Sequence, residues 1–199
     1  MTLTIYGTAR SRAFRVLWAA EELGLTYQHE PIDWREASAN PVYLRINPAG
    51  SIPAIDDAGF VMAESLAINV HLAHKTGRLL PEAPHAESLL WQWTLWAATS
   101  LEAPYTRWAS HSLWLPESLR DADKAQLAAQ ELTRPFDRLE LALTGRDWLI
   151  GNTFSIADLN VASVINLIHK MDLGRWPNLA EWLSRCLARP AYAVAASRA

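Results

Sequence analysis

The chain has one cysteine, Cys186, among its 199 residues. A lone cysteine excludes an internal disulfide, a CxxC redox pair and a thiolate metal cluster. Cys186 falls in an apolar helical pattern, where a thiol reads as a small buried hydrophobe rather than a nucleophile. No apolar run approaches the length of a membrane span, and no membrane partner is expected. Met1-Thr2-Leu3-Thr4-Ile5-Tyr6 lacks the charged start, apolar stretch and small-residue cleavage site of an export signal, so the cytoplasm is the expected compartment. Neither sign of charge dominates: 18 Lys and Arg stand against 21 Asp and Glu, and the basic residues are scattered, which gives no electrostatic ground for a nucleic-acid partner. His71 and His74 lie three apart with no third ligand close in sequence, so no metal is expected.

What is present is the balance of a soluble globular protein, half hydrophobic and a fifth charged, at a length that supports a sizeable core. Tryptophan is the exception: there are ten, and Trp91, Trp93, Trp96, Trp108 and Trp114 crowd one segment. Such a cluster either lines an apolar pocket or fills a helical core, and core packing is the simpler reading of each.

The first 78 residues alternate elements. Leu3 to Tyr6 reads as a strand stopped by Gly7, and Ser11 as the N-cap of a helix that carries Phe14, Leu17 and Trp18 and stops at Gly24. Thr26 to Ile32 is a second strand, and Ser38 to Ile46 a short irregular or helical link. Pro53 to Asp56 and Phe60 to Ala63 flank Asp57-Ala58-Gly59, a hairpin signal, and Ser65 begins a helix that ends at Gly77. This order fits an α/β thioredoxin-like domain over residues 1–78. Pro81 and Pro84 mark a linker at 79–85, and residues 86–199 read as an all-helical domain. Its elements are one long Trp-rich helix to about Trp114, bent near Pro104; a helix from Asp121 to Leu143 that Pro135 should kink or divide; one after Phe154; and a last one from about Asn178 to Ala188.

Chemistry concentrates in Asn47-Pro48-Ala49-Gly50-Ser51-Ile52-Pro53 and in Glu64-Ser65. Taken alone, Pro53 reads as a trans proline opening an edge strand, and Glu64-Ser65 as a helix cap. Together they offer more. A cis proline ahead of a strand leaves the backbone N–H and C=O of Ile52 available to an extended peptide. A serine at a helix N-terminus suits a carboxylate, and an adjacent glutamate suits an ammonium. A free amino-acid head group needs both. Phe154-Ser155-Ile156-Ala157-Asp158 has the form of a capping box, which makes Asp158 structural.

Tyr6-Gly7, Ser11 to Val16, Asn47-Pro48 with Ile52-Pro53, Glu64-Ser65 and the Phe154 to Asp158 box are together specific, and over its whole length the chain resembles the cytosolic glutathione transferases, in its first loop a serine-type, bacterial-like member. The resemblance implies a thioredoxin-like domain followed by an all-helical one, a homodimer, a role in detoxification, and glutathione as co-substrate without a metal. It implies a cis Pro53, an Ile52 that pairs with the cysteinyl backbone of glutathione, and Glu64 and Ser65 on its γ-glutamyl end. The thiol would be activated by Ser11 or by Tyr6, with Thr8 as an outside choice, and Arg12 or Arg10 could add positive potential near the sulfur or the glycyl carboxylate. Ser51 departs from the longer polar residues the family often has there, which weakens that carboxylate clamp. Tyr105, Trp108 and His111 are the candidates for a hydrophobic acceptor pocket, with Arg107 beside them. The function implied is conjugation of the glutathione thiolate to a hydrophobic electrophile. A non-catalytic glutathione-binding or scaffold module and a glutathione-dependent isomerase or dehalogenase are the alternatives.

Overall fold

The computed structural model describes residues 2–198. The chain divides by packing into two compact units: one runs to Leu80 and resumes at Ala188, and the other spans Pro81–Leu187.

The first unit is built on a four-stranded sheet of order β2-β1-β3-β4, with β1 Leu3–Tyr6, β2 Tyr27–Glu30, β3 Ala54–Asp57 and β4 Phe60–Ala63. β1 pairs parallel with β2 and antiparallel with β3, where Ile5 faces Ile55. Period-2 alternation therefore puts Leu3, Ile5 and Ile55 in the core and turns Thr4 and Tyr6 to the opposite face. Helix α1, Ala13–Leu23, has nine buried residues out of 11, because it packs on β1, on α2 and on the closing helix α8. Gly24 ends it in a left-handed turn, its N–H reaching Ala20 and Glu21, the C′ glycine anticipated from sequence. At the hairpin, Ala58 and Gly59 both take positive φ, and Asp56 Oδ1 accepts the Gly59 N–H at 2.6 Å. Helix α2, Ser65–Thr76, stops at Gly77.

The link before Pro53 takes the helical form among those the sequence allowed, and the end of the chain departs from the sequence reading. The link before Pro53 is two short 3-10 turns, Ala37–Ala39 and Tyr43–Arg45, whose buried Ala37 and Tyr43 pack with Ala54 against Tyr6, Ile32, Ile46 and Ile52. The chain does not end its helices at Ala188: α8, Pro190–Ala196, follows with proline at its first position. That is where proline belongs, since its missing N–H has no intrahelical partner there anyway.

The second unit contains α3 Ala86–Trp96, α4 Glu102–Ala109, α5 Ala122–Ala142, α6 Ile156–Val164 and α7 Pro177–Leu187. The expected single Trp-rich helix is interrupted by two π-helical turns, Ala97–Leu101 and Ser110–Trp114. Pro104 explains the first: its ring crowds the carbonyl four residues back and it has no N–H, and a widened turn relieves both. Pro135 does not divide α5. Ala128, Leu132, Phe136 and Leu139 form a buried stripe on both sides of the proline. Each such side chain contributes about 1.5–3 kcal/mol, more in sum than the ~3 kcal/mol a mid-helix proline costs.

All nine residues of α6 are buried. The capping box at its start is present: Ser155 takes the Asp158 backbone N–H and Asp158 takes that of Ser155. Among the described residues no helix is long and apolar enough to cross a membrane.

Candidate functional site

Two segments of the first unit close on Gly7, and a third is tied to the first of them through Arg15. A Cβ placed on Gly7 would lie 3.0 Å from the Ala13 Cβ and 3.1 Å from the Ile52 Cβ, and Gly7 itself holds φ at 122°. Glycine is needed here for both reasons. Its absent side chain lets the start of α1 and the Ile52 loop close against the end of β1.

The turn between Gly7 and α1 carries Ser11. Its hydroxyl donates to the Thr8 carbonyl at 2.7 Å, and its oxygen accepts the Ala13 N–H at 3.0 Å. Helix α1 begins at Ala13 with Arg12 in the cap position, so Ser11 sits one residue ahead of the N-cap expected for it and still satisfies an orphan N–H. Arg12 and Arg10 are exposed.

The second segment is held from below. Asn47, buried, donates its Nδ2 to the Ser51 carbonyl at 2.8 Å and to Ser51 Oγ at 3.2 Å, while its Oδ1 takes the Ala49 N–H. Tyr43 donates its hydroxyl to the same Ser51 carbonyl at 2.5 Å. These bonds fix the residue before Ile52. The Ile52–Pro53 peptide bond is cis, and β3 begins only at Ala54.

The third segment is the start of α2. Glu64 is exposed and caps the helix with φ 71° and ψ 99°, a left-handed backbone that a glutamate adopts only under constraint from its surroundings. Ser65 follows as the first helical residue and is buried. Its Oγ accepts from Arg15 Nη1 at 3.4 Å. Arg15 is only 7% exposed, a guanidinium carried inward on α1. A buried arginine behind a serine at a helix N-terminus adds its full charge to the partial charge of the helix dipole, and both favour an anion.

Tyr6 is elsewhere. Its ring lies against Tyr43, centroids 5.9 Å apart, on the face of the sheet opposite the helices. Burial pushes its hydroxyl pKa up, the charges of Asp56 and Glu30 push it further, and a hydrogen bond with Thr4 opposes them. That makes it a weaker donor than a free phenol.

In the second unit, Tyr105 and Trp108 are buried in the helical core, 2% and 6% exposed. The Tyr105 hydroxyl is engaged, donating to Asn166 Oδ1 at 3.2 Å and accepting the Leu167 N–H. His111 is half-buried in the second π-turn, where its Nδ1 accepts the Asp121 N–H at 3.3 Å. Arg107 forms an ion pair with Glu131. Of the clustered tryptophans, Trp93, Trp96 and Trp108 are buried and Trp91 and Trp114 exposed.

The sequence reading brought Ser11, Ile52, Pro53, Glu64 and Ser65 to notice and missed Arg15. The available signal was its place on the otherwise apolar face of α1, four residues after Ser11 on the helix that also buries Phe14 and Trp18.

Residues 1–74 match the glutathione S-transferase N-terminal domain and residues 102–190 the glutathione S-transferase C-terminal domain. The chain is 28% identical over 215 residues to glutathione S-transferase hmp2 of Hypomyces subiculosus, covering 100% of each. It is 26% identical over 191 residues to human elongation factor 1-gamma, covering 91% of this chain and 43% of that one. The crystal structure of the theta class glutathione S-transferase from Xanthomonas axonopodis pv. citri with glutathione bound superposes with a TM-score of 0.88 at 28% identity, covering 98% of this chain and 96% of the other. With two domain matches in order along the chain and a full-length fold match, the protein belongs to the glutathione S-transferase family.

Proposed function

We propose that this glutathione transferase binds glutathione in the first unit and joins its sulfur to an electrophilic carbon of a hydrophobic acceptor. The observation that carries the reading is the convergence on Gly7 of the Ser11 turn and the Ile52–Pro53 loop, together with Arg15, which links α1 to Ser65. The γ-glutamyl carboxylate goes to Ser65 at the α2 N-terminus, with Arg15 as the charge behind it, and the γ-glutamyl ammonium to Glu64. Ile52 offers its backbone to the cysteinyl residue in the manner of a strand. Arg12 supplies positive potential near the sulfur or the glycyl carboxylate, and Ser51, drawn onto Asn47, contributes little to a clamp on that carboxylate.

Ser11 is the activating group. In the free protein its proton points at the Thr8 carbonyl. Rotation about the Cβ–Oγ bond turns the proton to the sulfur while the oxygen keeps its bond from the Ala13 N–H, and the N-terminus of α1 adds the favourable end of its dipole. The thiol proton leaves to solvent, the thiolate forms the C–S bond, and the acceptor's leaving group departs with the electron pair of the bond that breaks. Lowering a thiol pKa by two units takes about 2.7 kcal/mol of preference for the thiolate. Tyr6, turned to Tyr43 with its hydroxyl pKa raised, is less suited to the task. The acceptor is assigned to the helical unit near Tyr105, Trp108 and His111, of which half-buried His111 is the more accessible.

The test is Ser11→Ala. Conjugation of a chlorinated nitrobenzene at pH 7 should fall roughly a hundredfold, and the pH profile should move up by about two units, while glutathione affinity by calorimetry changes little. Full retained activity rejects Ser11, and Tyr6→Phe is then the deciding variant. Counting glutathione before and after separates conjugation from an isomerase that regenerates it.

The likeness to elongation factor 1-gamma favours a second reading, a glutathione-binding module without turnover. Glutathione binding with no conjugation of several electrophiles would establish it. We place the protein in the cytoplasm as a homodimer. Exposed Phe60 and Val61 on β4, and exposed Trp91 and Leu95 on α3, give each unit apolar surface for a second copy. Sedimentation at two concentrations should show a species of twice the chain mass.

A further inference from the structure

The face of the sheet opposite α1 and α2 holds a cavity of about 280 Å³, floored by Thr4, Tyr6, Gln28 and Glu30 of β1 and β2 and walled by Ile32, Tyr43 and Ile46. Its chemistry is one-sided. Tyr6 and Tyr43 are in contact as a tilted pair at 49°, with Tyr43 buried and Tyr6 half-buried, so Tyr6 is the ring that the cavity can use. Among the lining residues Glu30 carries the one charge. Asp56, the partner of Thr4 in the β1–β3 register, lies on the same face of the sheet but on the other side of β1 from Glu30. Both acids raise the Tyr6 pKa, an independent sign that the negative potential reaches into the cavity.

We infer that this cavity is a binding site for a small organic cation, an arylalkyl primary ammonium whose charged head meets Glu30 and whose ring lies against Tyr6. An ammonium is attracted by a carboxylate and by the quadrupole of a tyrosine ring within about 6 Å, and Glu30 and Tyr6 are cross-strand partners in the floor of this cavity. Ile32 and Ile46 supply apolar surface for the ring, and the Gln28 amide a polar contact at the rim. The volume suits a ligand of roughly eight to ten heavy atoms, for which a millimolar dissociation constant is expected. An anion of the same size would meet Glu30 and Asp56 as like charges and be excluded. This site is separate from the Ser11, Ile52 and Ser65 assembly, and the inference stands whether or not that assembly transfers glutathione.

The experiment titrates the full chain with benzylammonium, benzyl alcohol and phenylacetate, following the side-chain amide of Gln28 by nuclear magnetic resonance. Benzylammonium should give a saturable shift, benzyl alcohol one at least about fivefold weaker, and phenylacetate none. Glu30→Gln, at an exposed position on a strand edge, should weaken benzylammonium about fivefold and leave the melting temperature in place. The titration is repeated with saturating glutathione, whose own ammonium competes only at Glu64. Loss of benzylammonium binding under glutathione, with Glu30→Gln without effect, would put the amine at Glu64 and overturn the inference. So would equal binding of amine and alcohol, which would make the cavity merely apolar, or no shift at Gln28 at any concentration.

Discussion

A serine hydroxyl has one proton, and in this protein the Ser11 proton is already given to the Thr8 carbonyl. On the proposed role of Ser11, activation is a choice between two acceptors, and a thiolate would win because a charge-assisted hydrogen bond is roughly twice as strong as a neutral one. Asp158 shows the opposite case, a polar group whose partners are all structural. It is fully buried, and burial pushes its pKa up, while the Leu149 N–H, the Trp182 indole N–H and the Ser155 N–H and hydroxyl all donate to its two oxygens and pull the other way. Asp158→Ala strands three of those donors in the core of the second unit. We expect a loss of about 3–5 kcal/mol, a melting temperature lower by on the order of 10 °C, and, in whatever fraction remains folded, unchanged affinity for glutathione. Thermal denaturation with calorimetry on the same sample checks both parts. The capping role of Asp158 was legible because Ser-x-x-Asp before an apolar run is a local pattern. Arg15 was only half legible: its place on an apolar helix face is a local signal, but its contact with Ser65, 50 positions away, is not.

At the scale of elements, the β3–β4 hairpin is tied to α2 through one carboxylate. Asp57 Oδ2 lies 3.3 Å from His71 Nε2 and its Oδ1 takes the Lys75 ammonium, while Phe60 lies against the His71 ring at 5.2 Å between centroids. Burial alone would raise the Asp57 pKa, but the hydrogen bonds from Lys75 and His71 outweigh it and hold the carboxyl below the ordinary carboxylate range. A carboxyl depressed in the folded state contributes stability that is present above its unfolded pKa, near 3.9, and is lost as pH falls through the folded value. Asp57→Asn should therefore cost about 1 kcal/mol at pH 7, and less at an acid pH where the native carboxyl has begun to take up its proton. Urea melts at the two pH values should show the difference, and an equal cost at both would mean the bond is not ionic. The strands, the hairpin and both glycine stops of this unit follow from period and turn chemistry that are complete within a dozen residues. The helical unit was harder to read. Pro135 leaves α5 whole because buried residues on either side of it dominate, and Pro104 produces a π-turn rather than a simple bend, outcomes set by packing that the sequence does not display.

At the scale of the molecule, the last dozen residues belong with the first eighty. The sequence reading ended its last helix at about Ala188 and placed these residues in the helical domain they follow. Their partners lie at the other end of the chain. Arg189 makes a two-pronged bond to Glu22 at 2.6 and 2.8 Å, with the Glu22 side chain only 6% exposed, and the Trp18 indole donates to the same carboxylate. Tyr192 sits edge-on to Phe14 at 5.4 Å and to Trp18 at 5.1 Å, and Arg198 bonds Glu21. Every one of these contacts falls on α1, the helix that begins at the Ser11 turn and carries Arg15. A chain ending at Leu187 leaves Glu22 without its cation and uncovers two aromatic rings. The first of these costs about 2 kcal/mol once the partial exposure of Arg189 is allowed for, and the aromatic contacts about 0.5–1.5 kcal/mol each. The expected result is a first unit weakened by on the order of 4 kcal/mol and a second unit left alone, since the contacts named are all with α1 of the first unit. Hydrogen exchange resolves the two: amides of α1 and β1 should lose protection in the shortened chain, those of α6 should keep it, and glutathione affinity should fall with the former. Equal loss of protection in both would show that the two units unfold as one.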